Sequence, residues 1–538
     1  VSARLSGKID LLPLKGNTLQ DSTQSSKTAK SSFAIMLCTI ASRLLGIVKA
    51  RVLSSVFGAS GVADVINFTF NIPNNFRKLF AEGAVNSALI PAFSSLLGLG
   101  KKRSSLHLFS LLCTYQTMLL IPLVLLSYFF GEEFLSLISD FDSAQVALGA
   151  KLLPFFMVYL AAISMAAIFN GVLQSHHNFL HAYLSPLLFS LSVIFGVQYL
   201  TPYLGAMSMA WATLVGGLLQ GSYSYLMLRR YGYRLKPAIR KADTPLKPVI
   251  GAWSLVVLGM GMQVLTQLVT YHFASTLSEG SVTAFANATI FYQTPYGVFF
   301  NAISAVSLPL LSRSYALGHM QEMQKHTRVS IVQLTSLLLP SGIILFFLSQ
   351  ESVSVVLQTG NYTLADAQLT ALALRPFLLF MVTTSWYAML LRLGYSANRY
   401  AMMTKITFLQ NMVDIILMWV FISLGWGIIS LALANGISYA VLLGFLSFKL
   451  KDLYNPIKDT QLRRGLLRTV AANIPILGYC LLYASFSMTW YQSGSNLRNF
   501  LILSLVALGS LVVWILSYAL MKVELLSLFR SKKQGNNL

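Results

Sequence analysis

Three cations, Arg43, Arg77 and Lys78, sit inside stretches that otherwise read as membrane-spanning helix. Charge at bilayer depth costs about 2.5–3.5 kcal/mol per residue on the gentlest scale, so such residues face a protein-lined, wet cavity and mark a pathway. Cations gathered on the first two helical segments suit an anionic cargo. Arginine favours phosphate or carboxylate, because its planar fork bonds two oxygens at once. Lys49 and Arg51 add charge toward the outer end of the first segment. Arg43 lies about 12 residues, or roughly 18 Å of helix, into its apolar run, too deep to snorkel easily. Two other readings stay open. Arg43 could form a buried ion pair with Asp64 or Glu82. Residues 74–83 could be a short polar cytoplasmic loop, although that would upset the charge alternation described next.

The elements that must position these residues follow from composition. The chain has 538 residues, of which 55% are hydrophobic and only 10% charged, and its mean hydropathy is +0.66. No ordinary soluble domain of this length carries so few charges. Apolar runs of about 20 residues or more recur from 31 to 522, so the fold class is all-α integral membrane. The runs are continuous rather than alternating, which excludes a β-barrel. Fourteen spans are expected. The net charge of +22 reads as cytoplasmic loop anchors rather than a nucleic-acid surface. Numbered alternately inside and outside, the inside loops hold Lys101, Lys102 and Arg103, the cluster from Arg229 to Lys247, and Lys449 to Arg464. The outside loops hold Glu132, Glu133, Asp140, Asp142, Glu279, Glu351 and Asp366. Both termini are therefore expected in the cytoplasm. Residues 1–30 lack an apolar h-region and read as a cytoplasmic tail rather than a signal peptide.

The long inside loop at 229–247 divides a first lobe, 31–228 (spans one to six), from a second, 248–449 (spans seven to twelve). Two further spans occupy 450–522, and 523–538 form a C-terminal tail. A faint internal echo supports two halves. Span two carries Pro73 and ends Leu89-Ile90-Pro91, while span eight carries Pro295 and ends Leu308-Pro309-Leu310. Proline-interrupted helices in corresponding places mark transporters with repeated halves and their midplane sites. Pro73, Gly83 and Pro295 are the expected hinges.

The segment from Ser42 to Pro91 resembles the opening signature of the MurJ (MviN) lipid II flippase family, within the multidrug/oligosaccharidyl-lipid/polysaccharide exporter superfamily. The matching residues are Ser42-Arg43-Leu44-Leu45-Gly46, Phe57-Gly58-Ala59, Asp64, and Ile72-Pro73-Asn74 through Phe76-Arg77-Lys78-Leu79-Phe80-Ala81-Glu82-Gly83-Ala84. The similarity is good over roughly 33–320 and thins beyond. The resemblance implies two lobes around a central cationic cavity that alternates between faces, and a groove near the last two helices for a polyprenyl tail. It implies transfer of undecaprenyl-pyrophosphate-linked peptidoglycan precursor to the outer leaflet of the bacterial cytoplasmic (inner) membrane. Arg43 and Arg77 match family cavity arginines, and Asp64 and Glu82 match acidic positions of the same motif. The chain departs from the family at Lys49-Ala50, where Arg-Asp is usual, and at Thr289 to Pro295, where a further cavity arginine is usual and no cation occurs. Lys49 or Arg51 would then compensate, or the cargo differs.

Some family members also bind sodium in the second lobe. Asp414, with Gln410 one turn earlier, matches one such position, while Thr270 stands where a second acid is usual. Coupling to a monovalent cation or to the membrane potential is the expectation, with no other cofactor. Cys38, Cys113 and Cys480 form no motif, and His176, His177 and His181 read as an interfacial loop rather than a metal site. No Walker A sequence occurs. The expected function is a non-enzymatic flippase for lipid II. The alternatives are an exporter of another anionic lipid or amphiphile, and a membrane enzyme on a polyprenyl-linked substrate, for which Glu132 to Asp142 would be the acids. The expected partners are lipid II and membrane lipids, with cell-wall synthesis proteins as candidates. The chain reads as a monomer and not as a binder of nucleic acid.

Overall fold

The computed structural model describes residues 38, 41–79, 89–238, 246–486 and 489–523. Among these residues the chain is all helix and turn, with no strand. In a bilayer every backbone polar group must be satisfied internally, and helices achieve this within one segment. Helix α1 covers 41–57. It is followed by α2 (Gly61–Arg77), α3 (Ile90–Gly98), α4 (Lys102–Phe129), α5 (Gly131–Ile138), α6 (Ser143–Ser175), α7 (Phe179–Leu204) and α8 (Met207–Arg229). The second series is α9 (Leu246–Ser275), α10 (Ser281–Ala316), α11 (Met320–Phe347), α12 (Ser349–Leu357), α13 (Leu364–Leu379), α14 (Met381–Ser396), α15 (Tyr400–Ser423) and α16 (Ile429–Lys449), and the chain continues with α17 (Thr460–Ala484) and α18 (Asn496–Leu520).

Nine of these helices are long and apolar enough to cross a membrane, or ten if the bent pair α13–α14 counts as one span. That pair bends by 48° at Phe380, whose amide donates to the Pro376 carbonyl. The ring of Phe380 fills the space beside Gly436 of α16, where an added Cβ would lie 2.2 Å from it. The last helix shows the membrane character most plainly: Leu497, Leu501, Leu505, Leu508, Val512, Leu516 and Leu520 are all exposed. In water such a face would be a liability, and in lipid it is the expected surface. The chain is a multi-pass membrane protein.

Helices α2, α4, α6, α7 and α8 pack among themselves, as do α9 to α16, and α2 against α9 and α10 joins the two groups. Helices α17 and α18 pack on each other and on α11. The first group is stapled by aromatic packing, with Tyr159 stacked on Phe189 at 4.8 Å and Phe70 edge-on to Phe156 at 5.5 Å. Small residues let its helices close up: a Cβ at Gly196 would lie 2.4 Å from the Ala212 Cβ, the close approach that drives helix association in lipid.

Three local expectations change. Pro73 does not break its helix; α2 runs through it to Arg77, and a wider π-type turn follows at 78–79. Proline removes one ladder donor, which the rest of a packed helix can absorb. Pro295 likewise lies inside a continuous α10. The loop expected outside between α4 and α6 is partly helical: α5 carries Glu132 and Glu133 in its first turn, and Asp142 caps α6 in a reciprocal box with Gln145. Capping accounts for Asp142 without any chemistry. Glu82 and Gly83 lie outside the described residues, as do the 1–30 tail, 239–245 of the inter-lobe loop and 524–538.

Candidate functional site

The two lobes are clasped at one end by side chains that cross between them. Asp64, in the first turn of α2, accepts from the amides of Gly280 at 2.7 Å and Thr283 at 2.8 Å, at the start of α10. Glu279, just before α10, accepts from the amide of Gly61 at the start of α2. Each helix N-terminus is thus capped by a carboxylate of the opposite lobe, satisfying donors that have no partner within the helix and complementing the helix dipole. Among the described residues Asp64 thus binds backbone amides of α10 and does not pair with Arg43, one of the two readings that the sequence leaves open. Asn67 extends the link by donating to the Thr283 hydroxyl at 3.1 Å.

A second contact closes the same end. The amide and side chain of Asn361 donate to the carbonyls of Ser55 and Val56, at 2.8 and 2.7 Å. Gly280 and Gly360 make this approach feasible. Both have positive φ, 88° and 57°, and a Cβ on either would lie 2.6 Å from the Ala59 carbonyl or 2.3 Å from that of Ser55. Only glycine fits such a backbone against such a neighbour.

From the clasp a cavity of about 320 Å³ runs between the lobes, with Asn67 and Thr283 shared by both. Lys49, Arg77 and Lys78 line it, as do Asn67, Asn71 and Asn74. Lys78 is held from both lobes: its ammonium donates to Asn75 at 2.9 Å and to Gln267 of α9 at 2.7 Å. Asn75 in turn donates to Asn71, so amides at helical spacing carry a polar face along α2. Arg77 Nε donates to Asn74 at 3.2 Å, which leaves its fork oriented by its own helix. Lys49 sits over the rings of Phe189 and Phe70, 5.3 and 6.0 Å from their centroids, and within reach of the Arg77 charge. Like charges held this close repel one another. The opposite wall, from α9 and α10, contributes Gln267, Thr283, Asn287 and Gln293 and, among the described residues, no cation.

The remaining predicted cations lie elsewhere. Arg43 reaches across to α10, where a Cβ added at Gly297 would lie 3.0 Å from its Nη2. Arg51 is not in the cavity; its Nη1 donates to the carbonyls of Val355 and Val356 at 3.0 and 2.6 Å. Those carbonyls belong to the last turn of α12, where cations are favoured. Arg51 thus fastens α1 to the second lobe and does not compensate for the missing cation of α10. Sequence reasoning missed Arg392 of α14, whose guanidinium lies 4.8 Å from the Phe300 centroid. Below it Tyr292, Tyr296 and Phe300 stack along α10 at 5.4 and 5.2 Å. The signal was present, since Arg392 is also a charge inside an apolar run.

Beside the polar cavity lies an apolar cleft of about 240 Å³, lined by residues such as Ile47, Phe291, Pro295 and Leu503. Ala50 and Ile290 line both spaces, so the two adjoin across α1 and α10, and the cleft extends to α18. Asp414, on α15 facing α16, is buried; its Oδ2 accepts from Asn435 at 2.7 Å and its Oδ1 has no partner among the described residues. Gln410 donates to Ser438, and Thr270 donates to the Thr266 carbonyl and faces Met418. His176 and His181 turn to different tyrosines, Tyr231 and Tyr223.

A family model described as "Lipid II flippase MurJ" matches residues 53–502. Among curated relatives, a probable lipid II flippase MurJ of Borreliella burgdorferi is 25% identical over 504 residues, covering 94% of this chain and 98% of the relative. One of Bdellovibrio bacteriovorus is 27% identical over 515 residues, covering 92% and 95%. Among solved structures, a lipid II flippase MurJ in an inward closed conformation superposes with a TM-score of 0.71 at 23% identity, covering 90% of this chain and 98% of that one. An inward-facing multidrug resistance MATE family transporter of the MOP superfamily gives 0.68 at 13% identity, covering 77% and 95%. With its family signature spanning most of both lobes, the chain belongs to the lipid II flippase MurJ family.

Proposed function

We propose that this protein carries lipid II, the polyprenyl-pyrophosphate-linked peptidoglycan precursor, across the cytoplasmic membrane by alternating access. The observation that carries the reading is the adjacency of a cationic chamber, with Lys49, Arg77 and Lys78 on one wall, to an apolar cleft running toward α18. An amphiphile with an anionic head and a long apolar tail needs both. The head would enter the chamber while the tail stays in the cleft and the surrounding lipid. Arg77 offers a fork to two phosphate oxygens, and the lysines supply charge without fixed geometry. Cargo charge would relieve the repulsion within the cationic wall, and its unequal affinity for the two lobe arrangements is what can drive the exchange. No covalent step is involved.

The alternation has a structural candidate in the clasp. Its carboxylate caps would open when the lobes part at that end and reform when they close. The charge pattern of the loops supports a reading with the clasp at the outer face, both termini in the cytoplasm and fourteen passes. To the nine long helices and the bent pair this topology adds α1, α2 with α3, α8 and α9. Asp414 suits a monovalent hard cation in donor type, because among the described residues one of its buried carboxylate oxygens is without a partner while the other accepts from Asn435. Such an ion would neutralise the carboxylate, and this chain's contribution is the buried acid itself.

The test is transfer of fluorescent lipid II between leaflets of vesicles holding the purified chain, together with rescue of a strain depleted of its own flippase. Arg77→Ala should abolish both with normal expression and folding. Undiminished transfer by that variant would overturn the assignment of the chamber.

A further inference from the structure

A second basic site lies far from the cavity, where α11, α17 and the end of α18 meet. The space between them measures about 370 Å³ and is lined by Arg328, Arg464, Arg468 and Lys522. Its floor is set by Gly465, where an added Cβ would lie 3.0 Å from Val332 of α11. That glycine brings α17 against α11 and leaves Arg464 and Arg468, one turn apart, on the same face.

The charges there are unequally engaged. Arg328 donates to Asp459 at 3.1 Å, and the same carboxylate accepts from Tyr454 and from the amides of Gln461 and Leu462. Asp459 is therefore used up in capping α17 and neutralising Arg328. Its carboxyl is held below the usual range by those amides and by Arg328, against the opposing effect of burial. Arg464, Arg468 and Lys522 have no carboxylate within ion-pair distance among the described residues. Among the described residues these three clustered cations remain without a counter-charge.

Their depth limits the partner. On α17 the exposed apolar series Leu467, Val470 and Ile474 begins within a turn of Arg464. On α18 the exposed Leu516 and Leu520 immediately precede Lys522. The three cations therefore rim the lipid-facing belt, at the level where phospholipid phosphates sit. Basic pockets between membrane helices at this level recognise anionic headgroups. A zwitterionic headgroup would bring its own ammonium against three cations, whereas an anionic phosphodiester would not.

We propose that the groove between α11, α17 and α18 binds the phosphodiester headgroup of an anionic phospholipid, with Arg464 and Arg468 bonding phosphate oxygens and Lys522 closing the far side. Such a lipid bridges the last two helices to the second lobe. The site is separate from the cargo chamber and does not rest on the cargo's identity.

The purified full-length chain, in neutral detergent, is mixed with short-chain phosphatidylglycerol or phosphatidylcholine, and the bound fraction is read by native mass spectrometry. The wild type should hold phosphatidylglycerol about tenfold more tightly. The R464Q/R468Q/K522Q variant should lose most of that preference at an unchanged melting temperature in phosphatidylcholine. If that variant does not fold, R464Q and K522Q singly should each weaken it about threefold. Arg463→Gln, on the opposite side of α17, should leave it intact, and inorganic phosphate at equal concentration should not displace the lipid. The proposal is overturned if the preference survives the triple substitution, if Arg463→Gln weakens it equally, or if phosphate alone displaces the lipid, which would make the groove a free-anion site.

Discussion

Helices α2 and α10 are each the second helix of their series, and their likeness at one end makes their difference in the middle informative. Each contains an internal proline, and each begins under a carboxylate supplied by the other lobe, Glu279 for α2 and Asp64 for α10. Past that shared start the walls diverge. The α1–α2 wall presents Lys49, Arg77 and Lys78, while the α9–α10 wall presents amides and hydroxyls. The ends thus serve closure, which a two-fold arrangement does well. The middle serves an asymmetric cargo, gripped by charge on one side and by neutral donors and acceptors on the other.

The comparison breaks most directly at the walls. Hydrogen bonds to charged groups contribute about 1.5–3 kcal/mol, or roughly 10- to 150-fold in affinity or rate. Lys49→Ala combined with Arg77→Ala should therefore lower lipid transfer by at least about 100-fold. Gln267→Ala on the other wall should cost only about 2- to 10-fold, through the freed Lys78. Transfer assays on both variants decide the point. Equal losses would mean that the two walls grip the cargo alike.

The clasp comes next. Gly280→Ala must strain a left-handed backbone and push into the Ala59 carbonyl, an unyielding backbone atom. It should open that end of the molecule, read as faster labelling of a cysteine placed at Ser60 by a membrane-impermeant thiol reagent. Asp64→Ala should act in the same direction by removing two caps. A cap is typically worth about 1 kcal/mol, so labelling should rise about fivefold or more. Glu279→Ala should give a smaller rise, because it loses a single amide and Glu279 is exposed. Combining the two should fall short of additivity, since both act on one interface.

How much of this was readable in the sequence depends on the scale of the interaction. Intramembrane charge, the span pattern and the Ser42–Pro91 signature are local properties, and they led to the cavity cations Arg77 and Lys78 and to the family. The role of Asp64 was not readable, because its partners are backbone amides 216 and 219 positions away, and a backbone amide leaves no mark in the side-chain pattern. Arg51 failed for the same reason: its acceptors are two carbonyls of α12. Pro73 interrupts no helix because a proline removes only one ladder donor, which a packed membrane helix absorbs. Arg392 was readable by the rule that singled out Arg43, yet its meaning depends on the Phe300 ring that the fold brings beneath it.

The smallest expected effect probes the contact between the walls at Gly297. An added Cβ there would lie 3.0 Å from Arg43 Nη2 and 3.2 Å from Nη1, tighter than ordinary packing but against the far end of a flexible side chain. The guanidinium can retreat by a few tenths of an ångström, so Gly297→Ala should fold normally and reduce transfer only about 2- to 5-fold, an amount of about 1 kcal/mol or less. The loss should depend on the planar fork. In an Arg43→Lys background, where the compact ammonium lies farther from α10, the same glycine substitution should cost almost nothing more. A double-mutant cycle on transfer rates measures this coupling. An undiminished penalty in the lysine background would mean that Gly297 matters to α10 alone. A vanished penalty would tie Arg43 to the backbone of α10, a second first-lobe cation in touch with the neutral wall beside Lys78, which donates to Gln267.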